Sequence, residues 1–297
     1  MQTASLMQTK PMDISESAHV EGVPFFPQQD HQCGPASLAM ALNHAGASLS
    51  PDLLRSGLFV PGREGSLQVE MLALPRRYGY VAYPLIPQLG SILRAVEAGH
   101  PVVVLQNLGL SVAPQWHYAV VTGFDLAKGS IRLHSGETPD YQLALSTFER
   151  TWKRAGSWAM VAHRAGELPV AVTENAYFRA VTVLEHSRKR EALLAYVAAT
   201  RRWPRSLAAW MGVGNSRYAL ADLKGAAEAF IKASKADPLA AEPLNNLAQI
   251  RMEQGDLDAA MALADQAIER DKQSVLYLQT RDEVIRARAN AARSGLH

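Results

Sequence analysis

Gln32-Cys33-Gly34-Pro35-Ala36-Ser37-Leu38-Ala39-Met40-Ala41-Leu42 decides how the first half of this chain is read. A proline in the first turn is pre-set in φ for a helix and gives up no needed N–H. The small and apolar residues after it predict a helix over 33–45, and Gly46 supplies its stop. Cys33 is the single cysteine of the chain, and this places it at a helix N-terminus. Unpaired N–H groups and the positive end of the helix dipole favour thiolate there. Such a cysteine is suited to nucleophilic chemistry rather than to service as a small buried hydrophobe.

The bulk composition narrows the classes. At 297 residues the chain has room for two domains of roughly 150 residues each. With 48% hydrophobic and 20% charged residues it is globular in composition. A net charge of +2 and the lack of a long Lys/Arg run argue against nucleic acid as a partner. A single cysteine forms no internal disulfide and leaves the redox compartment open. No apolar run reaches the ~20 residues of a membrane span. Residues 1–20 are polar without an apolar signal core and read as a flexible lead. The expected location is the periplasm or cell envelope if a leader has been trimmed, and otherwise the cytoplasm.

Two textures divide the rest. Residues 21–164 mix Pro, Gly, aromatic and β-branched residues. Besides the cysteine helix they predict helices over 50–54, 67–78 and 89–98. Strands follow over 101–106, 117–124 and 130–134, the first a continuous apolar run suited to burial. Helices followed by antiparallel strands make an α+β domain, and about 140 residues can bury its core without disulfides.

Residues 173–293 are Ala-rich and repeat. In a 34-residue frame starting at Thr173, Leu207 and Ala241, position 8 is Ala180, Gly214 and Ala248. Position 20 is Ala192, Ala226 and Ala260. Position 24 is Tyr196, Phe230 and Ala264, and position 27 is Ala199, Ala233 and Ala267. Small residues at fixed offsets let paired helices approach closely. The pattern resembles the tetratricopeptide repeat, with the middle unit (Trp210, Gly214, Ala226, Phe230, Ala233, Pro238) the fullest match. A last helix over 274–292 has the charged outer face of a cap.

A nucleophilic thiol needs a base, and His117 at the start of a strong strand, directly after Trp116, is the candidate. A helix-borne cysteine and a strand-borne histidine are the layout of papain-like enzymes. Three blocks carry a closer resemblance. They are Val23-Pro24-Phe25-Phe26-Pro27-Gln28, Cys33 to Leu42, and Trp116-His117-Tyr118-Ala119-Val120-Val121-Thr122-Gly123-Phe124-Asp125. Over about 21–162 the chain resembles the C39-like peptidases, papain-like cysteine peptidases related to bacteriocin-leader-processing domains. Such a domain followed by tetratricopeptide repeats resembles an arrangement of Gram-negative bacterial proteins.

The resemblance implies Cys33 as nucleophile, His117 as general base and Gln28 as oxyanion donor, with Gln29 and Gln32 as neighbours that can be confused with it. The family has an Asp-Pro pair where this chain reads Ser135-Gly136. Ser135 can accept from Nδ1–H of His117 but carries no charge. Glu137 or a main-chain carbonyl can serve instead. His31 and His134 read as loop, strand-surface or cleft residues, and Asn107 and Trp116 as cleft lining or packing. A Cys33–His31–His117 metal set lacks the paired spacings of zinc sites. No metal or cofactor is expected.

The expected architecture is an α+β papain-like peptidase domain (21–164) followed by an all-α tetratricopeptide-repeat solenoid (173–293). The expected function is peptide-bond hydrolysis, with the repeats binding a substrate or partner protein. The alternatives are a catalytically weak scaffold that binds peptides, and an amidase or transpeptidase on the same fold.

Overall fold

The computed structural model describes residues 2–9, 13–28, 32–58 and 66–294. The chain divides into two compact units, Met1–Ser187 and Arg188–His297.

The first unit runs α1 (Gln2–Gln8), β1 (Ser17–His19), α2 (Cys33–His44), α3 (Pro51–Leu58), α4 (Gln68–Arg77), β2 (Tyr80–Pro84), α5 (Leu89–Glu97), β3 (Val102–Asn107), β4 (Trp116–Asp125), β5 (Ser130–Ser135), β6 (Thr138–Ala144), α6 (Leu145–Arg154), β7 (Ala159–Arg164) and α7 (Glu174–Val181). The strands form one antiparallel sheet in the order β2-β7-β3-β4-β5-β6, and β1 pairs with the far end of β4. Sequence patterning predicted only β3, β4 and β5. β6 lies at a sheet edge with nearly all its residues exposed, so it lacks the apolar alternation that marks a half-buried strand.

α2 begins at Cys33 and is buried from Gly34 to Leu42. Between Gly34 and Leu42 it is apolar apart from Ser37, as suits a helix enclosed by protein. Beneath it lie Val103, Leu105, Tyr118, Val120, Met160 and Ala162 of the sheet, and Leu54, Leu58, Met71 and Leu74 of α3 and α4 belong to the same cluster. Its far end is closed by Gly46 at φ +92° and by Arg164 Nε donating to Ala45 O at 2.7 Å. α5 and α6 pack on β4 and β3.

The expected flexible lead carries α1 and β1. Gln2 N and Thr3 N donate to the buried Glu149 carboxylate at 2.6 and 2.8 Å, and Thr3 Oγ1 adds a third bond at 2.6 Å. These bonds satisfy a carboxylate that would be costly to bury alone. α7 lies in the first unit, where Tyr177 is fully buried with its ring 5.6 Å from that of Tyr83 on β2.

The second unit is a succession of helices: α8 (Lys189–Arg202), α9 (Leu207–Ala219), α10 (Leu223–Ala236), α11 (Glu242–Glu253), α12 (Leu257–Arg270) and α13 (Val275–Ser294). Each packs on the next, as stacked repeats require. The 34-residue frame is visible in the contacts. A methyl at Gly214 would overlap the Phe230 ring, and one at Gly212 the Tyr196 ring. Where position 24 is the small Ala264, position 8 is Ala248, and both are buried. Ser206, Asp222 and Asp256 cap the helices that follow them by accepting from Ala209 N, Gly225 N and Ala259 N.

One buried polar cluster makes the first unit acid-sensitive. His163 is fully buried, its Nδ1 donates to Arg164 O at 2.7 Å, and its Nε2 has no partner. His100 lies 5.4 Å away ring to ring, and both imidazoles stand within 3.8 Å of the Glu167 carboxylate. Burial pushes both histidines down to about 4, with each other, His44 and the Arg164 carbonyl as further influences. Neither contact with Glu167 is therefore an ion pair at neutral pH. The unfolded chain takes up these protons below about pH 6.5 and the folded chain only near 4, so stability is full above 6.5 and falls as pH drops through that window. Urea unfolding at pH 7.5, 6 and 5 should show a progressive loss that reaches about 2 kcal/mol per histidine at pH 5. The slope should shrink in His163→Phe. Stability that is flat from pH 7.5 to 5 would contradict this.

Candidate active site

The N-terminal end of α2 is fixed from two sides. On one side, Gly34 packs against Ser66, where any Cβ would overlap the serine side chain, and Tyr118 Oη donates to Ser66 O at 3.1 Å. Tyr118 and Cys33 belong to one apolar cluster. Burial raises the Tyr118 phenol, and the charges of Cys33 and Glu70 raise it further, so these groups share one neighbourhood. The Cys33 side chain is half-buried. On the other side, Gln28 is 8% exposed and its Nε2 donates to Ser37 Oγ at 3.0 Å.

Gln28 also reaches across to the β5–β6 turn. Its Oε1 accepts from Gly136 N at 2.9 Å, and its main-chain N donates to Gly136 O at 3.0 Å. Ser135, immediately before, lies 2.9 Å by its Oγ from His117 Nε2. His117 is the second residue of β4, opposite Gln106, whose amide is tied to Thr151 of α6 at 2.6 Å. The strand end that carries the histidine is thereby anchored. Burial lowers the His117 pKa, which favours neutral imidazole.

The sequence candidates can now be placed. Gln28 and Ser135 are brought to adjacent positions through Gly136, and Ser135 is joined to His117. The serine meets Nε2, not the Nδ1 expected from sequence, because the ring presents its far nitrogen to β5. Glu137 does not share the strand face of Ser135. The chain reverses at 136–137, with Gly136 at φ +60°, and leaves Glu137 exposed. His134 is neither surface nor cleft. It is buried, with Nε2 on Val23 O and Nδ1 accepting from Asp140 N at 3.1 Å. Asn107 is buried and its Oδ1 accepts from Gly109 N and Gln115 N, holding the β3–β4 loop. Trp116 is 55% exposed beside His117. Gln29 and His31 lie outside the described residues, and among the described residues no group of His, Cys, Asp or Glu is arranged to hold a metal. Sequence reasoning missed Ser37, Ser66 and Gly136. Ser37 alone left a signal, as the one polar residue within an apolar helical run.

The first unit is an α+β antiparallel domain with a cysteine at the head of its buried helix and a histidine on a strand of its sheet. The helix pairs after it define a repeat module. Comparison with known families agrees. Residues 20–160 match the Peptidase_C39 like family, and residues 179–230 and 213–275 match the Tetratricopeptide repeat. The chain thus has an N-terminal α+β domain that matches the C39-like peptidase family, followed by a helical region with helix pairs like those of the tetratricopeptide repeat.

Solved structures resemble each part. A protein described as a C39-like peptidase, from Bacillus anthracis, is 20% identical with a TM-score of 0.42 over 49% of this chain and 96% of its own. The peptidase domain of Streptococcus ComA, a bi-functional ABC transporter involved in a quorum sensing pathway, is 19% identical with a TM-score of 0.40, over 48% and 98%. The Sgt2 TPR domain from Aspergillus fumigatus is 18% identical with a TM-score of 0.36, over 38% and 76%. Comparison with curated proteins gives no match. No described helix is long and apolar enough to cross a membrane.

Gly34→Ala tests the seat of Cys33. The added methyl must displace Ser66 or the first turn of α2, at a cost of about 1–3 kcal/mol. The expected outcome is a lower melting temperature and an altered Cys33 alkylation rate. Wild-type values for both would contradict the packing described.

Proposed function

We propose that this chain is a cysteine peptidase with Cys33 as nucleophile and His117 as general base, and that its repeats bind the substrate or a partner protein. The observation that supports this most is the 2.9 Å bond between His117 Nε2 and Ser135 Oγ. It engages one ring nitrogen on a fixed partner, and in the tautomer that donates from Nε2 to the serine oxygen the Nδ1 lone pair is left for a thiol proton.

In this reading the Cys33 sulfur attacks the scissile carbonyl carbon as its proton passes to His117 Nδ1. The carbonyl π pair moves to oxygen, held by Cys33 N–H and the Gln28 amide. Collapse breaks the C–N bond, and the amine leaves with the proton from His117. Water then attacks the thioester with His117 again as base, and Cys33 leaves as a thiol. Ser135 orients the ring without charge, so imidazolium is less stabilised than it would be beside a carboxylate. That same feature favours the second reading, a weakly active scaffold that binds peptides.

Iodoacetamide labelling of Cys33 across pH separates the two. In the peptidase reading labelling is fast at neutral pH and His117→Ala slows it at least about tenfold. Burial lowers the His117 pKa, so neutral base persists in acid and the acid limb falls below about pH 6.5. Ser135→Asp should stabilise imidazolium, move that limb upward and speed labelling. Labelling at ordinary-thiol rates in both wild type and His117→Ala would sink the peptidase reading.

A further inference from the structure

Gln28 is doubly committed before any substrate arrives. Gly136 N–H is a donor, so the Gln28 atom 2.9 Å from it is the carbonyl oxygen. The other end of the amide is therefore the NH₂ group, and it lies 3.0 Å from Ser37 Oγ. An NH₂ group has two protons, and Ser37 takes one. Ser37 is fully buried, with no water to compete for that bond.

Position matters as much as chemistry. Ser37 is four residues after Cys33 in α2, so both project from one face, about 6 Å apart along the axis. A helical side chain leans toward the N-terminus, here toward Cys33. An amide gripped by Ser37 is thus held on the Cys33 face of the helix, and among the described residues its second N–H has no partner. The main-chain bond from Gln28 N to Gly136 O stops the residue from turning as a whole.

We infer that Ser37 is a positioning residue for acyl transfer: with Gly136 it fixes Gln28 as a hydrogen-bond donor and aims its free N–H at the oxygen of a substrate acylating Cys33. This rests on the peptidase reading above. It also ties that donor to the turn carrying Ser135, so the groups behind the thiol and behind the imidazole share one scaffold.

Two reagents at Cys33 isolate the effect. p-Nitrophenyl acetate acylates the sulfur through a tetrahedral oxyanion and expels nitrophenolate. Iodoacetamide alkylates it by displacing iodide, with no oxyanion. The ratio of the two rates in the full chain therefore reads oxyanion stabilisation alone. Ser37→Ala should lower the ratio about tenfold with alkylation unchanged, and Gln28→Ala should lower it further, toward 100-fold. In the Gln28→Ala background Ser37→Ala should do nothing more. A ratio unchanged in Ser37→Ala, or a fall of equal size with and without Gln28, overturns the inference. Fast wild-type alkylation alongside either result leaves the peptidase reading standing, whereas free-thiol rates for both reagents in wild type remove both. The side-chain amide of Gln28 gives a second readout by ¹⁵N NMR. Its proton resonances should move in Ser37→Ala, and their constancy would also overturn the inference.

Discussion

The first unit depends on one constraint, the burial of a helix with no polar face. α2 is enclosed from Gly34 to Leu42, so it needs the sheet below and α3 and α4 beside it. An apolar helix of this kind is stable only when every side is covered. The proposed chemistry then falls at one end. At the far end Gly46 and Arg164 close the carbonyls. At the other stands Cys33, the first residue of the helix.

Polar bonds that cross between elements link α2 to the groups on the sheet. Gln28 joins Ser37 of α2 to Gly136 of the β5–β6 turn, and Ser135 joins the same turn to His117 of β4. The bonds are few, largely shielded from water and each between different elements. A change at one therefore acts on the others through geometry. The repeat unit uses a different device, steric rather than polar. Gly214 and Gly212 admit the rings of Phe230 and Tyr196, and small residues elsewhere in the frame let helices pack closely.

What was legible in the sequence followed from strong local signals. The Cys33 helix is marked by Pro35 and Gly46, and β4 by its run of apolar residues. The repeat frame is marked by small residues at fixed offsets. The departure at Ser135 was also readable, because an acid was expected there from the resemblance. The rest depends on tertiary context. β6 is exposed and has no apolar period. His134 looks like any strand polar residue until Val23 O and Asp140 N are seen to satisfy both ring nitrogens. Glu137 fell off the strand because a turn at Gly136 intervenes. α7 kept the repeat frame in sequence while packing on β2, since a period records spacing and not partners.

The central claim is that His117 holds its Nε2 proton toward Ser135 and offers its Nδ1 lone pair to Cys33. ¹⁵N NMR of the labelled imidazole near pH 7.5 measures this directly. The account predicts a neutral ring with its proton on Nε2, and an Nδ1 resonance that moves when Cys33 is replaced by alanine. A ring protonated on Nδ1, with a spectrum indifferent to Cys33→Ala, would contradict it.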